Sequence, residues 1–377
     1  MAIDNRTELR RRLFREKRAQ LEEHLATPLL LYWGKWEGPN IRALTLAEEF
    51  TRPTFVVCRP GGETTAFVQR IEEDGFSALA DEVDVVVYAS ADELNKGLEA
   101  ELKNVDRVAV EASRQFFGLD RLPPAFYEFV SSRAQLAPCE EVLIPFRAVK
   151  SPTELALMKK ASEVTLEIFE GVAQRVRPGV SERELADFIL CATIEAGAAP
   201  AFPPIVASGP RSRHPHPERC TERELAAGDR LIIDCGADVA GYKADVTRTY
   251  IAGGDAASDP YYDLSLRLAE HLRAADFAKV TPRELGEEIA ALVQEAGLRD
   301  RERHGYGHGL GVETHDPHPY IMTRPLPWLE RPFEEGMVFT FEPGFYDDKG
   351  GFRLEDDYVV WGGRAVPFQE FEPPGGG

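Results

Sequence analysis

At 377 residues, with 43% hydrophobic and 29% charged positions, the chain has the length of two domains and the composition of an ordinary soluble globular protein. A net charge of −20, from 44 basic against 64 acidic residues, speaks against a nucleic-acid-binding surface. No run approaches the ~18 apolar residues of a membrane helix, no secretory signal is visible, and five scattered cysteines without CxxC spacing suit a reducing cytoplasm rather than a disulfide framework or thiolate zinc site.

The first predicted element is a basic helix near residues 7–25. Glu8, Glu16, Glu22 and Glu23 interrupt its positive charge, so it reads as a solvated helix face and not as a transit peptide, which is poor in acids. Apolar and β-branched runs at 28–32, 54–58, 83–88 and 107–110 predict strands, with a further helix near 92–103. Residues 1–147 are therefore expected to form an α/β domain with a largely covered sheet. It contains no phosphate-binding glycine loop. The boundary falls in the segment 146–152, where Ser151 is placed as an N-cap, Pro152 at the first helical position and Glu154 to close a capping box. A long amphipathic helix to about Arg175 opens a second domain, 148–372, and the Pro/Gly tail 373–377 is expected to be disordered.

The second domain repeats itself. Val180-Ser181-Glu182-Arg183-Glu184-Leu185 recurs 100 residues later as Val280-Thr281-Pro282-Arg283-Glu284-Leu285, Ile189 matches Ile289, and Glu195-Ala196-Gly197 matches Glu295-Ala296-Gly297. Each copy opens with a capping box and closes on a glycine stop. Downstream, residues 228–236 align with 336–344: glycine, an apolar strand, an acid, one residue, glycine. A second acid follows each, Asp245 at 11 residues from Asp234 and Glu355 at 13 from Glu342. A unit this long, occurring twice, implies one domain with pseudo-twofold symmetry and not a solenoid. Chance likeness of two amphipathic helices would not also repeat acid-bearing strands in the same order.

Asp234 ends a predicted strand and Asp245 lies within another, 243–249, so adjacent strands can aim both acids at one point. A lone acid at a strand end is usually a turn residue or ion-pair partner; duplication changes that weighting. Clustered carboxylates repel unless cations intervene, and two divalent ions balance four carboxylates. Carboxylates with one imidazole suit Mn, Co, Fe or Zn. His308, in a glycine-rich run, is the candidate nitrogen ligand. His216 and His315 are candidates to hydrogen-bond a scissile carbonyl and its oxyanion. His214, His304 and His318 read as surface or packing residues, and Cys235 as a packed core residue.

Several of these segments together resemble the metallopeptidases of the pita-bread fold, which include methionine aminopeptidase, Xaa-Pro aminopeptidase and Xaa-Pro dipeptidase (prolidase). The carriers are Ala207 to His216, Asp-x-Gly followed by Asp-x-Thr-Arg-Thr, His-Gly-x-Gly-x-x-x-His (308–315), Glu-Pro-Gly (342–344) and Arg-x-Glu-Asp (353–356). Segments 39–42 and 147–151 also resemble the creatinase/prolidase-type chain. The resemblance implies an α/β N-terminal domain plus an α+β pita-bread C-terminal domain. It implies a dimetal centre held by Asp234, Asp245, His308, Glu342 and Glu355, with Asp245 and Glu355 bridging and Mn²⁺ the foremost ion. A hydroxide between the metals would attack the amide carbonyl, Glu342 would shuttle the proton, His216 and His315 would hold the intermediate, and Arg353 would brace the ligands or a substrate carboxylate. It further implies a cytoplasmic homodimer acting on small peptides with proline after the scissile bond, binding neither nucleic acid nor membrane.

The chain departs from the family pattern in three places. Asp316 stands where Glu is usual, Arg211 where Asn is common, and Pro317-His318-Pro319 where some prolidases carry an arginine for the dipeptide's carboxylate. Arg211, Arg213, His318, Arg353 or a partner subunit could supply that clamp. Prolidase is the leading reading, Xaa-Pro aminopeptidase on longer peptides the alternative, and a non-catalytic peptide-binding member of the fold a third.

Overall fold

A computed structural model describes residues 3–34 and 37–374. Of the expected disordered tail, Gly375 to Gly377 lie outside the described residues. The chain divides into two compact units, one of Met1–Arg147 with Ser151–Thr153 and one of Ala148–Lys150 with Glu154–Gly377. Among the described residues no helix is long and apolar enough to cross a membrane.

The first unit is built on strands β1 (Leu29–Trp33), β2 (Thr54–Cys58), β3 (Thr64–Gln69), β4 (Asp84–Tyr88), β5 (Arg107–Val110) and β6 (Gln135–Ala137), with helices α1 (Ile3–His24), α2 (Pro39–Thr45), α3 (Ala91–Glu101), α4 (Pro124–Ser131) and α5 (Glu140–Ala148). The sheet order is β4-β3-β2-β1-β5-β6. β1 and β2 are almost wholly buried, which explains their continuous apolar sequence: both faces are covered. One core cluster joins Leu30, Phe55, Phe67, Leu94, Val108 and Val130.

The second unit opens with α6 (Pro152–Ala173). Its first half comprises α7 (Glu182–Glu195), β7 (Ala199–Pro200), β8 (Ile205–Ser208), β9 (Arg230–Cys235), β10 (Ala237–Val239), β11 (Tyr242–Lys243) and β12 (Val246–Ile251). The second half comprises α8 (Tyr262–Ala274), α9 (Pro282–Glu295), β13 (Gly307–Gly309), β14 (Asp316–Ile321), β15 (Val338–Phe341), β16 (Gly344–Asp347), β17 (Gly350–Arg353), β18 (Asp356–Trp361) and β19 (Arg364–Pro367). Both capping boxes expected of the repeat form, Ser181 with Glu184 and Thr281 with Glu284. Both helices stop before a left-handed glycine, Gly197 at φ +75° and Gly297 at φ +72°. Each half buries its own core. Leu185, Ile189, Leu231 and Ile233 pack in one, and Leu285, Ile289, Phe339 and Phe341 in the other. Sheets of order β12-β9-β8 and β14-β13-β15-β18-β19 carry the acid-bearing segments.

Candidate active site

Three of the four predicted acids lie where these strands are interrupted or end, and the fourth lies within one. Asp234 lies inside β9, opposite Thr247 of β12. Asp245 is not within a strand as its sequence suggests; it falls in the gap between β11 and β12. There its N–H leaves the sheet ladder and donates to the Asp357 carboxylate at 3.1 and 3.3 Å. Glu342 directly follows β15 and donates its N–H to the Tyr306 carbonyl at 2.8 Å. Glu355 sits between β17 and β18, bridged to Thr247, whose hydroxyl donates to Glu355 Oε2 at 2.6 Å.

His308 occupies the middle of β13. Its Nδ1 lies 3.1 Å from the Gly309 carbonyl, which assigns the proton to Nδ1 and leaves the Nε2 lone pair free. Nε2 faces Asp245 Oδ2 at 3.6 Å and Glu342 Oε1 at 3.7 Å. The glycines around His308 serve strand approach: a Cβ on Gly307 would fall 1.9 Å from the Thr340 carbonyl oxygen, and one on Gly309 2.3 Å from that of His318. Asp245, His308 and Glu355 each offer a ligand atom within 4.8 Å of the others, and all three are buried.

The electrostatics of this cluster favour a cation. Burial raises the Asp245 carboxyl well above its usual range, and the charges of Glu355 and Asp234 add to it. Burial likewise raises Glu355, reinforced by Glu342 and Asp234. Asp234 is raised by burial and partly relieved by Arg353, which donates to its Oδ2 at 2.5 Å. Burial lifts Glu342 to about 7, and burial with the neighbouring His315 lowers His308 to about 3. Asp234 Oδ1 and Asp245 Oδ1 are buried and accept no hydrogen bond from the described residues. Paired acids with orphaned oxygens and one neutral imidazole are a donor set for divalent first-row ions, so the residues fit the metals expected of them.

The cluster forms one wall of a cavity of about 520 Å³, within the range of small-ligand sites. His216 and His315 line it, and Phe202, Pro203, Ile205, Tyr320 and Met322 supply apolar surface. His304, read from sequence as surface or packing, lines it too. Its Nε2 meets the Tyr346 hydroxyl at 2.8 Å, and burial with the nearby Arg353 charge lowers it to about 4. His214 is exposed, and Cys235 is buried with its thiol pushed well up by burial. His318 is buried and outside the cavity lining. Asp316 turns away to pair with Lys150 at 3.0 Å.

Among the described residues, none of the arginine clamp candidates offers a free donor in the cavity. Arg211 is turned to Glu182 and to the carbonyls of Glu218 and Arg219, and Arg213 is not in the lining. Arg353 lines the cavity, but its donors go to Thr247, Tyr346, Pro215 and Asp234.

A fold of this kind with a carboxylate–histidine cluster in a cavity defines a metal-dependent hydrolase. The model of the Metallopeptidase family M24 matches residues 156–361, more than half of the chain, and the chain belongs to that family. It is a metallopeptidase of the pita-bread fold, with an α/β first unit and an internally repeated α+β second unit. A Xaa-Pro dipeptidase from Pyrococcus horikoshii is 29% identical over 332 residues, 86% of this chain and 88% of its own. The solved prolidase of that organism superposes with a TM-score of 0.79 at 25% identity, over 95% of this chain and 99% of the other. A solved X-Pro aminopeptidase from Thermotoga maritima shares the fold at TM-score 0.75 and 24% identity, over 95% and 97% of the two chains.

Proposed function

We propose that the chain is a dimetal Xaa-Pro dipeptidase, cleaving the amide bond before proline. Asp234, Asp245, His308, Glu342 and Glu355 are the metal ligands in this reading, residues 148–372 the catalytic domain, and 1–147 the creatinase/prolidase-type domain. The observation that carries it is the convergence of acids from two repeated halves on one buried cluster with orphaned oxygens. The likeness to a Xaa-Pro dipeptidase over most of both chains supports the substrate. Oxygen donors with a single nitrogen favour Mn²⁺, with Co²⁺, Zn²⁺ or Fe²⁺ as substitutes. The scattered cysteines and the family resemblance support a cytoplasmic homodimer.

When bound, two divalent ions supply an attacking water acidified to a pKa of roughly 7 and positive charge for the developing oxyanion. The chain's own residues orient and move protons. His308 presents a neutral Nε2 because its Nδ1–H is engaged. Arg353 fixes Asp234. Glu342 takes the proton that water loses and returns it to the imino nitrogen as the C–N bond breaks. His216 and His315 line the cavity, where they donate hydrogen bonds to the scissile carbonyl.

One observation favours a second reading, Xaa-Pro aminopeptidase. Arg353 is the one guanidinium among the described lining residues and its donors are engaged, so a dipeptide's carboxylate meets no available arginine or lysine there. The test is hydrolysis of Met-Pro and Met-Pro-Ala by chelator-stripped protein with and without Mn²⁺. Metal-dependent cleavage of Met-Pro alone is the expected result. Cleavage of the tripeptide moves the assignment to an aminopeptidase, and inactivity on both overturns the substrate.

A further inference from the structure

Three of the residues assigned to the metal centre sit at interruptions of the sheets, where a buried main-chain N–H must find an acceptor off the ladder. Glu355, in the gap before β18, donates its N–H to the Thr247 carbonyl at 3.1 Å. Asp245, in the gap before β12, donates to the Asp357 carboxylate. His308, where the β13–β14 register shifts, donates to the Thr340 hydroxyl at 3.1 Å.

The last two acceptors belong together. Thr340 of β15 and Asp357 of β18 stand directly opposite each other in the antiparallel register, and they are 0% and 2% exposed. One cross-strand pair thus holds the backbone of two cluster residues that come from different halves of the repeat. Asp357 is also a costly choice of acceptor. It is a buried carboxyl that pairs with no cation among the described residues. An acceptor needed only to complete the fold could be a neutral amide or hydroxyl.

We infer that Thr340 and Asp357 are positioning residues of the metal centre: Thr340 sets His308 and Asp357 sets Asp245, so that their side chains converge on one ion. This rests on the metal-centre reading of the cluster. Outer hydrogen bonds of this kind orient ligands, and their loss typically costs 10–100-fold in metal affinity.

The experiment is calorimetric titration of chelator-stripped protein with Mn²⁺, with the melting temperature of each metal-free variant measured alongside. Thr340→Val keeps shape and removes the acceptor; Thr340→Ser keeps the acceptor. Asp357→Val removes the acceptor; Asp357→Asn keeps one. Each valine variant is expected to bind Mn²⁺ roughly 10–100-fold more weakly, and each conservative variant to recover most of that loss. Valine variants that bind Mn²⁺ like the parent, even with lowered melting temperatures, make the pair purely structural and overturn the inference. Asn and Val equally weak at 357 would assign the effect to charge and overturn positioning there. If Asp357→Val does not fold, the Thr340 pair and Asp357→Asn still decide it. A parent protein that binds no Mn²⁺ overturns the metal-centre reading itself, a result distinct from all of these.

Discussion

Glu111 in the first unit and Asp245 in the second are both fully buried carboxyls, and they are held in opposite ways. Glu111 Oε1 accepts from the Asn40 side-chain amide and Oε2 from the Tyr32 N–H. Asn40 is itself fixed by Arg147 at 2.9 Å. Both oxygens are satisfied, and the group needs nothing more. Asp245 keeps a buried oxygen without a donor among the described residues, beside Glu355 and Asp234, whose charges oppose its ionisation. A structural acid is thus surrounded by donors, whereas the acid proposed as a ligand is surrounded by other acids and left incomplete. Burial alone does not separate the two; the donor count and the sign of the neighbours do.

The largest effect that follows is at the clustered acids. Asp245→Ala or Glu355→Ala should remove metal and activity together. The expected rate loss exceeds the ~10²–10³ of deleting a single oxyanion donor, with metal content read by elemental analysis. Full activity in either variant would dissolve the contrast with Glu111.

The converse prediction is for Glu111. Glu111→Gln turns an NH₂ toward either Asn40 or Tyr32, both donors, and should destabilise the protein by about 2 kcal/mol without changing metal content. Burial raises the Glu111 carboxyl to about 7 from 4.5. The folded state therefore binds this proton more tightly than the unfolded chain. The contribution is full below pH 4.5 and is lost as pH rises through about 7, a fall of up to roughly 3 kcal/mol. Denaturant unfolding across that window should show the decline in the parent and not in the Gln variant.

Smaller effects are expected at the cavity histidines. His216→Ala and His315→Ala should each lower kcat by roughly 10–100-fold with both metals retained, as expected of the two histidines proposed to donate to the scissile carbonyl. Loss of metal on replacing His216 would make it a ligand instead.

Much of the second unit is legible in the chain because local chemistry repeats. The pairs Ser181/Glu184 and Thr281/Glu284 cap their helices as written, and Gly197 and Gly297 stop them. The acids are legible because they follow the same strand in each copy. What escapes is set by tertiary approach. Asp245 reads as a strand residue, and only the distant Asp357 draws its N–H off the ladder. His304 reads as packing because its contact, Tyr346, lies 42 residues away. No local signal marks Asp357 or Thr340, whose roles exist only once β15 and β18 are paired.

The contrast between satisfied and orphaned groups is tested most sharply by His318. Like Asp234 and Asp245 it has orphaned atoms: neither ring nitrogen has a partner among the described residues, and the residue is 0% exposed. Unlike them it lies outside the cavity lining and among cations. Burial, with the charges of Arg331 and Lys150, lowers it to about 3, so the ring is neutral. An orphaned donor in such a place is a cost without a ligand to offset it. His318→Leu, of similar volume, should therefore leave Mn²⁺ binding and turnover unchanged and stabilise the protein by about 1 kcal/mol, read as a higher melting temperature. A loss of metal or activity would mean that orphaned atoms mark function wherever they occur, and that His318 belongs to the site despite lying outside the cavity lining.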